Sequence, residues 1–466
     1  MNNERKRIIT ILAAICLGFV LLIGYLSYFQ MFEAQAVRDN SYNKRLWINE
    51  DNILRGSITD RNGEILVYSE SHEGDVQRIY KYDNLYSHVI GYSLRDYGKS
   101  GLERKYNSYL VNANENTAIN ELINLINPSG IGNNLNLTIH HGLQKRTREL
   151  IGDKKGSVIT LNPKTGEILS MVSTPDFGIN SLSENWTSIS ENTESPMLNR
   201  GTQGLYTPGS VFKIVTATGV IQNGVPEAVY QCTGSTVIDG YTIRDFDESG
   251  HGSLNLEQAF SVSCNTYFAE QAVALGHNQL RNISEDFFFN RSIEFELETN
   301  KSVFPAESIG LTDLGASGIG QGRVLATPLN MLMITAAVAN DGYMPMPYIV
   351  EAVRSPQGQT IMSHVSESKK VLQIGEAQAL QRMMREVVRI GTGANAAISG
   401  VEVAGKTGTA ENSSGRNHAW FVGFAPLEDP EVAVVVLLEE EGSSGGRAAA
   451  PIARELMDFA LKNISN

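Results

Sequence analysis

Three short segments of this chain hold residue types that together can attack an amide and release an amine. In chain order they are Ser210-Val211-Phe212-Lys213, Ser263-Cys264-Asn265 and Lys406-Thr407-Gly408-Thr409. A serine hydroxyl needs a base before it becomes a nucleophile, and a lysine three residues later lies on the same face of a helix. The pattern therefore predicts nucleophilic catalysis by a serine.

Each motif is short enough to arise by chance, and the chain contains further copies. Ser-x-x-Lys recurs at Ser41/Lys44 and Ser366/Lys369, and Lys-Thr-Gly recurs at Lys164-Thr165-Gly166. The two serine copies lie among polar and charged residues, where a lysine stays a solvated cation. The copy at 164 follows a proline and has the composition of a turn. Local context therefore has to select the functional copies.

Ser210 has the more suitable surroundings. The preceding Thr207-Pro208-Gly209 has a turn composition, and residues 211–221 show an apolar helical pattern. Desolvation among apolar neighbours lowers the pKa of Lys213, so a neutral amine can take the proton of Ser210. A helix start also favours negative charge developing at Ser210. We therefore predict Ser210 as the nucleophile and Lys213 as its base.

The other two motifs are predicted to lie on a helix and a strand. Ser263 and Asn265 fall in a predicted amphipathic helix over residues 256–273 and can supply a proton relay and an amide donor. Lys406 and Thr407 follow an alternating run in a predicted strand over residues 401–409, where they offer a cation and a hydroxyl for a carboxylate. A strand edge can pair with an extended peptide, and we expect Gly408 to remove a side chain that would block its approach.

Composition limits the class of protein and its partners. The 466 residues suffice for about three folding units, and 42% hydrophobic with 19% charged residues is typical of a globular chain. The net charge of −13 argues against a nucleic-acid partner. Three cysteines are too few for a disulfide framework, and the eight histidines form neither H-x-x-x-H nor H-E-x-x-H. We therefore expect no metal and no cofactor.

The N-terminal segment predicts a membrane anchor. Arg5-Lys6-Arg7 precede an uncharged run over residues 8–29, and the next charge is Glu33. A helix of that length, about 33 Å, crosses a bilayer core, and its basic flank stays in the cytoplasm. The alternative is a cleaved signal peptide, because Ala34-Gln35-Ala36 imitates a cleavage site, although the apolar run is long for one. We expect a single-pass protein of the cell membrane with its catalytic domain outside the cytoplasm.

The remaining pattern predicts an α+β fold. Residues 1–30 are the tail and anchor, residues 31–136 a small β-rich pedestal, and residues 137–466 the catalytic domain. In the last of these, a hairpin at 157–161 and 167–173 and strands at 401–409, 418–424 and 431–438 flank helical segments at 211–221, 256–273 and 329–339. A closing helix is predicted over 447–464. We expect a mainly antiparallel sheet with helices on both faces and a helical insertion.

With these motifs the chain resembles the class B penicillin-binding proteins, the peptidoglycan D,D-transpeptidases. The resemblance extends over nearly the whole chain in the right order. It includes Arg55-Gly56-Ser57-Ile58-Thr59-Asp60-Arg61-Asn62-Gly63, Gly98-Lys99-Ser100-Gly101-Leu102-Glu103, Asn162-Pro163-Lys164-Thr165-Gly166, Gly250-His251-Gly252 and Gly320-Gln321-Gly322 with Thr327-Pro328-Leu329. The fold it implies is that of the transpeptidase and serine β-lactamase domains, here in a short form without C-terminal modules.

The resemblance also implies roles for the motif residues. Ser210 is acylated with Lys213 as general base, Ser263 passes a proton to the leaving amine and Asn265 holds the substrate amide. Lys406 and Thr407, next to Gly408 and Thr409, hold the terminal carboxylate, and the backbone N–H groups of Ser210 and Thr409 form the oxyanion hole. The substrate is the D-alanyl-D-alanine end of a peptidoglycan stem peptide, and β-lactams acylate the same serine.

The same resemblance implies one partner, and the chain departs from the family pattern at one place. A class A enzyme is excluded by size, so a separate glycan polymerase of the SEDS (shape, elongation, division and sporulation) type is expected to bind the anchor and pedestal. Relatives with a cysteine near Cys232 often have a second about a dozen residues on, where this chain has Arg244 and Asp245. A structural disulfide is therefore in doubt, and Cys264 is expected to be a packed residue.

Three alternatives stay open. Gly400-Val401-Glu402-Val403-Ala404-Gly405-Lys406-Thr407 matches the P-loop pattern, which would require a strand, a glycine-rich loop and then a helix. Within the penicillin-recognising proteins, a membrane-anchored serine β-lactamase and a β-lactam sensor compete with the transpeptidase. The transpeptidase is favoured, because residues 31–136 resemble its pedestal.

Overall fold

The computed structural model describes residues 3–33, 53–72, 75–112, 131–225, 228–412 and 414–464. The first of these segments is an α-helix over Asn3–Tyr28 that continues as a π-helix over Phe29–Glu33. Within the described residues it is the one helix long and apolar enough to cross a membrane, and none of that span is buried in protein. The possible cleavage site at 34–36 and the Ser41/Lys44 copy lie outside the described residues.

The chain forms nineteen described strands and thirteen described α-helices. The strands β1 to β19 are, in order, Ile58–Thr59, Ile65–His72, Asp75–Tyr80, Ser93–Leu94, Gly98–Lys99, Asn134–Leu137, Gly156–Leu161, Ile168–Thr174, Tyr230–Cys232, Ser235–Ile238, Tyr241–Arg244, Gly252–Leu254, Tyr343–Pro345, Val350–Arg354, Thr360–Ser363, Ser368–Lys370, Ala404–Ala410, His418–Ala425 and Val432–Leu438. The helices α1 to α13 are Asn3–Tyr28, Gly101–Lys105, Asn107–Leu110, His141–Ile151, Leu182–Ser190, Lys213–Gln222, Leu256–Ser261, Asn265–Leu275, His277–Asp286, Leu311–Gly318, Pro328–Ala339, Ile374–Arg389 and Gly445–Asn463.

The catalytic part of the chain is organised on a five-stranded sheet in the order β17-β18-β19-β7-β8, and all its pairs are antiparallel. Strands β7 and β8 form the predicted hairpin. They come from one end of this part of the chain and β17–β19 from the other, with the helices between them as an insertion. The predicted α+β architecture is confirmed.

Helices cover both faces of this sheet. Successive side chains of a strand point to opposite faces, so the apolar side chains of one strand contribute to two cores. On β18, Trp420, Val422 and Phe424 join the core formed with α6, α8, α11 and α12. The alternate residues Ala419 and Phe421 join a second core with α4 and α13. Every residue of β18 and β19 is buried, as expected for strands enclosed by two helical layers.

A second sheet, of order β15-β14-β6-β1-β2-β3, carries the pedestal. Its β14 and β15 come from far downstream in the chain, so the pedestal is tied to the catalytic part by backbone hydrogen bonds. Behind this sheet, Arg55 Nη2 lies 2.6 Å from Glu103 Oε2 and Arg78 Nε lies 2.8 Å from Glu103 Oε1. Two segments that resemble the family signature are therefore joined by one buried carboxylate.

Two predicted elements need correction. The predicted helix over 256–273 is two helices, α7 and α8, separated by Ser263 with φ +60° and by Cys264, whose Sγ caps α8. A left-handed residue cannot continue a right-handed helix, so Ser263 lies in a turn and Asn265 begins α8. The predicted strand over 401–409 begins only at Ala404, and Val401 forms a single bridge with Ile398 instead.

Candidate active site

Ser210 lies in a short 3-10 turn, Gly209–Phe212, that leads directly into α6. The turn rests against β17, the edge strand of the central sheet. Trp420, opposite Gly408 in the β17–β18 pair, donates from Nε1 to the carbonyl of Thr207 at 3.1 Å. The predicted position of Ser210 near a helix start is confirmed, and its side chain is partly exposed while Lys213 is fully buried.

Gly209 and Gly408 allow this close approach. Gly209 has φ +56°, and a Cβ there would lie 2.8 Å from the carbonyl oxygen of Thr409. A Cβ on Gly408 would lie 2.9 Å from the carbonyl oxygen of Pro208 and 3.1 Å from Val211 Cγ1. The missing side chain of Gly408 therefore makes room for the turn that carries Ser210, and its effect on the approach of a substrate stays a prediction.

The hydroxyl of Ser263 connects two buried lysines. Lys213 Nζ donates to Ser263 Oγ at 3.1 Å, and Lys406 Nζ donates to the same oxygen at 2.9 Å. Lys213 also donates to the Ser263 carbonyl and to Asn265 Oδ1, both at 2.7 Å. The structure thus brings residues from all three motifs into one hydrogen-bonded group, with Ser263 at its centre.

Burial changes the protonation of both lysines. Removal from water lowers the pKa of Lys213 from 10.5 to about 7, and electrostatic interactions with Cys264 and Asp245 offset part of that effect. Burial lowers the pKa of Lys406 well below its ordinary value, and the charge of Lys213 lowers it further. Phe268 and Phe260 lie 5.6 Å and 5.5 Å from the two ammonium groups. The predicted desolvated amine is therefore present.

Ser210 and Lys213, which the spacing places on the same helix face, are not hydrogen-bonded to each other in the structure. Among the described residues, Ser210 Oγ makes no hydrogen bond, and the three contacts of Lys213 Nζ go to Ser263 and Asn265. As an ammonium, Lys213 would use all three of its protons in these contacts, so it has to lose one of them before it can act as the base for Ser210. Catalytic hydrogen bonds often align only when substrate is bound. Ser210 lies three residues before Lys213 in the chain, which is about one helical turn.

Thr407 and Thr409 lie on β17, on the edge of the central sheet that no described strand covers. Thr407 Oγ1 is 2.6 Å from Thr392 Oγ1, and Thr409 Oγ1 accepts a 3.4 Å hydrogen bond from the backbone of Gly445. The second Lys-Thr-Gly copy lies in the turn between β7 and β8, where Lys164 contacts Asp429. The P-loop alternative is wrong, because Thr407 is followed by more of β17 and not by a helix.

Sequence reasoning missed Asp245, the residue that fixes the start of α8. Its carboxylate is buried, and its Oδ1 accepts hydrogen bonds from the backbone N–H groups of Asn265 and Thr266. An acidic group at a helix N-terminus is stabilising. The same carboxylate is surrounded by Cys232, His251 and Cys264. Both buried cysteines are free. The four residues are too widely spaced along the chain to form a short metal-binding motif.

Two family models match this chain. The penicillin binding protein transpeptidase domain matches residues 156–458, and the penicillin binding protein A dimerisation domain matches residues 55–134. The chain is 32% identical to the peptidoglycan D,D-transpeptidase PbpA of Mycolicibacterium smegmatis, with 99% of each chain covered. It is 30% identical to PbpA of Mycobacterium tuberculosis H37Rv over the same share of both chains.

Solved structures agree with these matches. The D,D-transpeptidase domain of a peptidoglycan glycosyltransferase from Eggerthella lenta aligns with a TM-score of 0.80 and 31% identity, covering 89% of this chain and 100% of that one. Penicillin-binding protein A of M. tuberculosis, solved as a ceftriaxone acyl-enzyme, aligns with a TM-score of 0.84 and 28% identity over the same shares. The chain belongs to the penicillin-binding proteins that are peptidoglycan D,D-transpeptidases, and the predicted resemblance to the class B members is confirmed.

Proposed function

We propose that this protein cross-links peptidoglycan stem peptides through an acyl-enzyme on Ser210. The observation that carries the proposal is the shared hydroxyl of Ser263, which lies within hydrogen-bond distance of Lys213 Nζ and Lys406 Nζ. A proton can pass between a base and a leaving amine through such a group. The acyl-enzyme structures of the M. tuberculosis relative with β-lactams support a covalent intermediate.

Acylation begins when Ser210 Oγ attacks the carbonyl carbon of the penultimate D-alanine. Lys213, as a neutral amine, takes the hydroxyl proton. The tetrahedral intermediate then collapses, the peptide bond breaks, and the last D-alanine leaves after its amine gains a proton through Ser263. The amine of a neighbouring stem peptide attacks the ester and restores Ser210 with its proton. The backbone N–H groups of Ser210 and Thr409 stabilise the oxyanion, a contribution on the order of 100-fold or more for each donor.

Lys406, Thr407 and Thr409 recognise the substrate carboxylate. Lys406 is a buried residue of the edge strand β17, and its Nζ donates to Ser263 Oγ. The uncovered edge of β17 pairs with the extended stem peptide, as strand edges do with other peptides, and Gly408 keeps the turn of Ser210 beside that edge. Asn265, whose Oδ1 accepts from Lys213 and whose Nδ2 donates to the Arg244 carbonyl, contacts the substrate amide.

The chain divides into an anchor at residues 1–30, a pedestal at 31–136 and a catalytic domain at 137–466. The matches of the two family models to 55–134 and 156–458 support this division. The basic flank Arg5-Lys6-Arg7 keeps the N-terminus in the cytoplasm and places the catalytic domain on the outer side. Proteolysis of intact spheroplasts tests this arrangement, because external protease reaches the catalytic domain only if it lies outside.

The glycan strands come from a separate SEDS polymerase that binds the anchor and pedestal. The proposal follows from the resemblance and from the anchor helix, whose exposed apolar surface can pack against another membrane helix. Site-specific cross-linking in membranes from α1 to the polymerase tests it, and absence of any cross-link along the whole helix contradicts it.

The experiment for the activity uses the full chain in detergent with a synthetic donor that ends in D-alanyl-D-alanine. A fluorescent D-amino acid serves as the acceptor. We expect D-alanine release, transfer of the donor to the acceptor and loss of both after penicillin treatment. Rapid turnover of penicillin without a lasting adduct would instead identify a β-lactamase, and no transfer to any amine would contradict the proposal.

A further inference from the structure

Two threonine hydroxyls meet beside the lysine of the third motif. Thr407 follows Lys406 on β17, and its side chain is 6% exposed. Its Oγ1 lies 2.6 Å from Oγ1 of Thr392. Thr392 lies in the loop that follows α12, 15 positions before Thr407, and belongs to none of the three motifs. The site therefore includes a hydroxyl that motif spacing does not reveal.

The loop of Thr392 is held between two helices. On one side, the Thr392 N–H donates to the carbonyl of Ser261, the last residue of α7, at 3.4 Å, and a Cβ on Gly391 would lie 2.3 Å from that carbonyl oxygen. On the other side, a Cβ on Gly446, in the first turn of α13, would lie 2.3 Å from the Thr392 carbonyl oxygen. Glycine at both positions allows these close approaches. The backbone therefore fixes Thr392 beside Thr407.

The hydrogen bond between the two hydroxyls can be oriented in two ways. A hydroxyl has a single proton to donate, and among the described residues the hydroxyls of Thr392 and Thr407 bond only to each other. If Thr407 donates, its proton is used and it presents lone pairs to the substrate. If Thr392 donates, Thr407 accepts that bond and keeps its own proton for a second acceptor.

A substrate carboxylate selects one of these orientations. An ionised carboxylate only accepts hydrogen bonds, so it can bind the Thr407 hydroxyl only while that hydroxyl keeps its proton for it. Thr392 is then the donor of the pair. The two hydrogen bonds run in one direction, from Thr392 through Thr407 to the carboxylate, and bonds arranged in such a chain polarise one another. The hydroxyl of Thr392 thus strengthens the bond that Thr407 makes.

We infer that Thr392 is a positioning residue for the reaction, because its hydroxyl donates to Thr407 and so directs the Thr407 proton to the carboxylate of the donor peptide or of a β-lactam. The inference rests on the proposed function, which assigns the carboxylate to Thr407 and its neighbours. Thr392 acts through Thr407 and not on the carbonyl that Ser210 attacks. Thr392 is exposed whereas Thr407 is buried, so removal of the Thr392 hydroxyl should weaken recognition and leave the fold intact.

Acylation of the full chain in detergent tests the inference with two forms of one drug, penicillin and its methyl ester, which lacks the charged carboxylate. Thr392→Val replaces the hydroxyl by a methyl group. It should lower the second-order rate constant with penicillin on the order of 10-fold, as loss of one hydrogen bond does, and that with the ester by about twofold or less. Thr392→Ser keeps the hydroxyl and should restore most of the rate with penicillin. Equal losses with the two forms, or a serine variant as slow as the valine variant, would overturn the inference.

A double-mutant cycle separates a role through Thr407 from an independent one. Thr392→Val should cause no further loss with penicillin in a Thr407→Val background, whereas independent effects would multiply and contradict the inference. Thr360→Val, at an exposed threonine of β15 in the pedestal sheet, is the matched control and should react as the wild type does. Thermal unfolding establishes that each variant is folded.

The two levels of the account fail in different ways. A wild type that penicillin does not acylate would contradict the proposed function. A wild type that is acylated, together with a folded Thr392→Val that reacts equally fast, would contradict only the role of Thr392.

Discussion

Lys213 and Lys406, 193 positions apart in the chain, donate hydrogen bonds to the same oxygen, Ser263 Oγ, at 3.1 Å and 2.9 Å. Both side chains are fully buried. Two ammonium groups this close repel each other and pay a desolvation cost, so they titrate as a coupled pair. We expect the reactive enzyme to hold one charge on this pair, with Lys406 the cation for the carboxylate and Lys213 the neutral base.

The pH dependence of acylation should report this pair. Because burial lowers the pKa of Lys213 to about 7, the acylation rate should fall about tenfold per pH unit below that value. Lys406, whose pKa is lowered by burial and by the charge of Lys213, titrates as part of the same pair, and its deprotonation should also lower the rate because the carboxylate then loses its cation. Stopped-flow acylation by a chromogenic β-lactam measures the profile. A rate that stays constant from pH 5 to 8 would contradict a titrating base.

Lys406→Ala should slow acylation on the order of 100-fold or more, because the carboxylate loses its cation and Ser263 loses a donor. The matched control is Lys164→Ala in the other Lys-Thr-Gly copy, where the lysine contacts Asp429 at the surface. We expect that variant to react as the wild type does. The acylation rates of both variants are measured with the same β-lactam. Similar losses of rate in the two variants would contradict the prediction that only the Lys-Thr-Gly copy at 406 is functional.

Gly408→Ala should slow acylation and destabilise the fold by about 1–3 kcal/mol, as overpacking does. The added methyl meets the Pro208 carbonyl at 2.9 Å and Trp420 Cβ at 3.0 Å, so the turn carrying Ser210 has to move away from β17. Gly375→Ala in α12 is the control, because its Cβ meets nothing within 4 Å. Urea denaturation and acylation kinetics test both variants, and a fully active Gly408→Ala would refute the close packing.

Glu103→Ala should destabilise the protein by about 3–5 kcal/mol, because it leaves Arg55 and Arg78 buried without their carboxylate. Burial alone would raise the pKa of Glu103, but the charges of Arg78 and Arg55 outweigh it and lower the pKa. Glu64→Ala, which removes an exposed contact with Lys81, should have a much smaller effect. Thermal unfolding compares the two. An equal shift of Tm in the two variants would contradict the stabilising role of the buried cluster of Arg55, Arg78 and Glu103.

Local patterns in the sequence predicted most of the central sheet. Strands such as β18 and β19 are continuous apolar runs between turns, and the hairpin of β7 and β8 surrounds an obvious turn. The break between α7 and α8 could not be predicted in this way, since residues 256–273 keep a helical periodicity through the break. Only the tertiary contacts of Cys264 and Asp245 explain why Ser263 adopts a left-handed conformation.

The candidate site, too, was predicted in part by local sequence patterns and in part not. Motif spacing and apolar context predicted Ser210 and Lys213, because desolvation follows from neighbours along the chain, and the Lys-Thr-Gly motif on a predicted strand pointed to Lys406. The role of Asp245 depends on contacts with residues 19 to 21 positions away, and that of Gly408 depends on the turn of Pro208. Neither is visible in a local pattern. The His251 loop was recognised only as a family-like segment, and its position beside Cys232 needed the pairing of β9 with β12.

The most direct measurement is the intact mass of the full chain after incubation with penicillin. We predict one adduct of the mass of penicillin on the wild type and on Ser366→Ala, a change at the exposed serine of another Ser-x-x-Lys copy. We predict no adduct on a folded Ser210→Ala. An adduct that persists in Ser210→Ala, or one that peptide mapping places on another serine, would contradict the central claim.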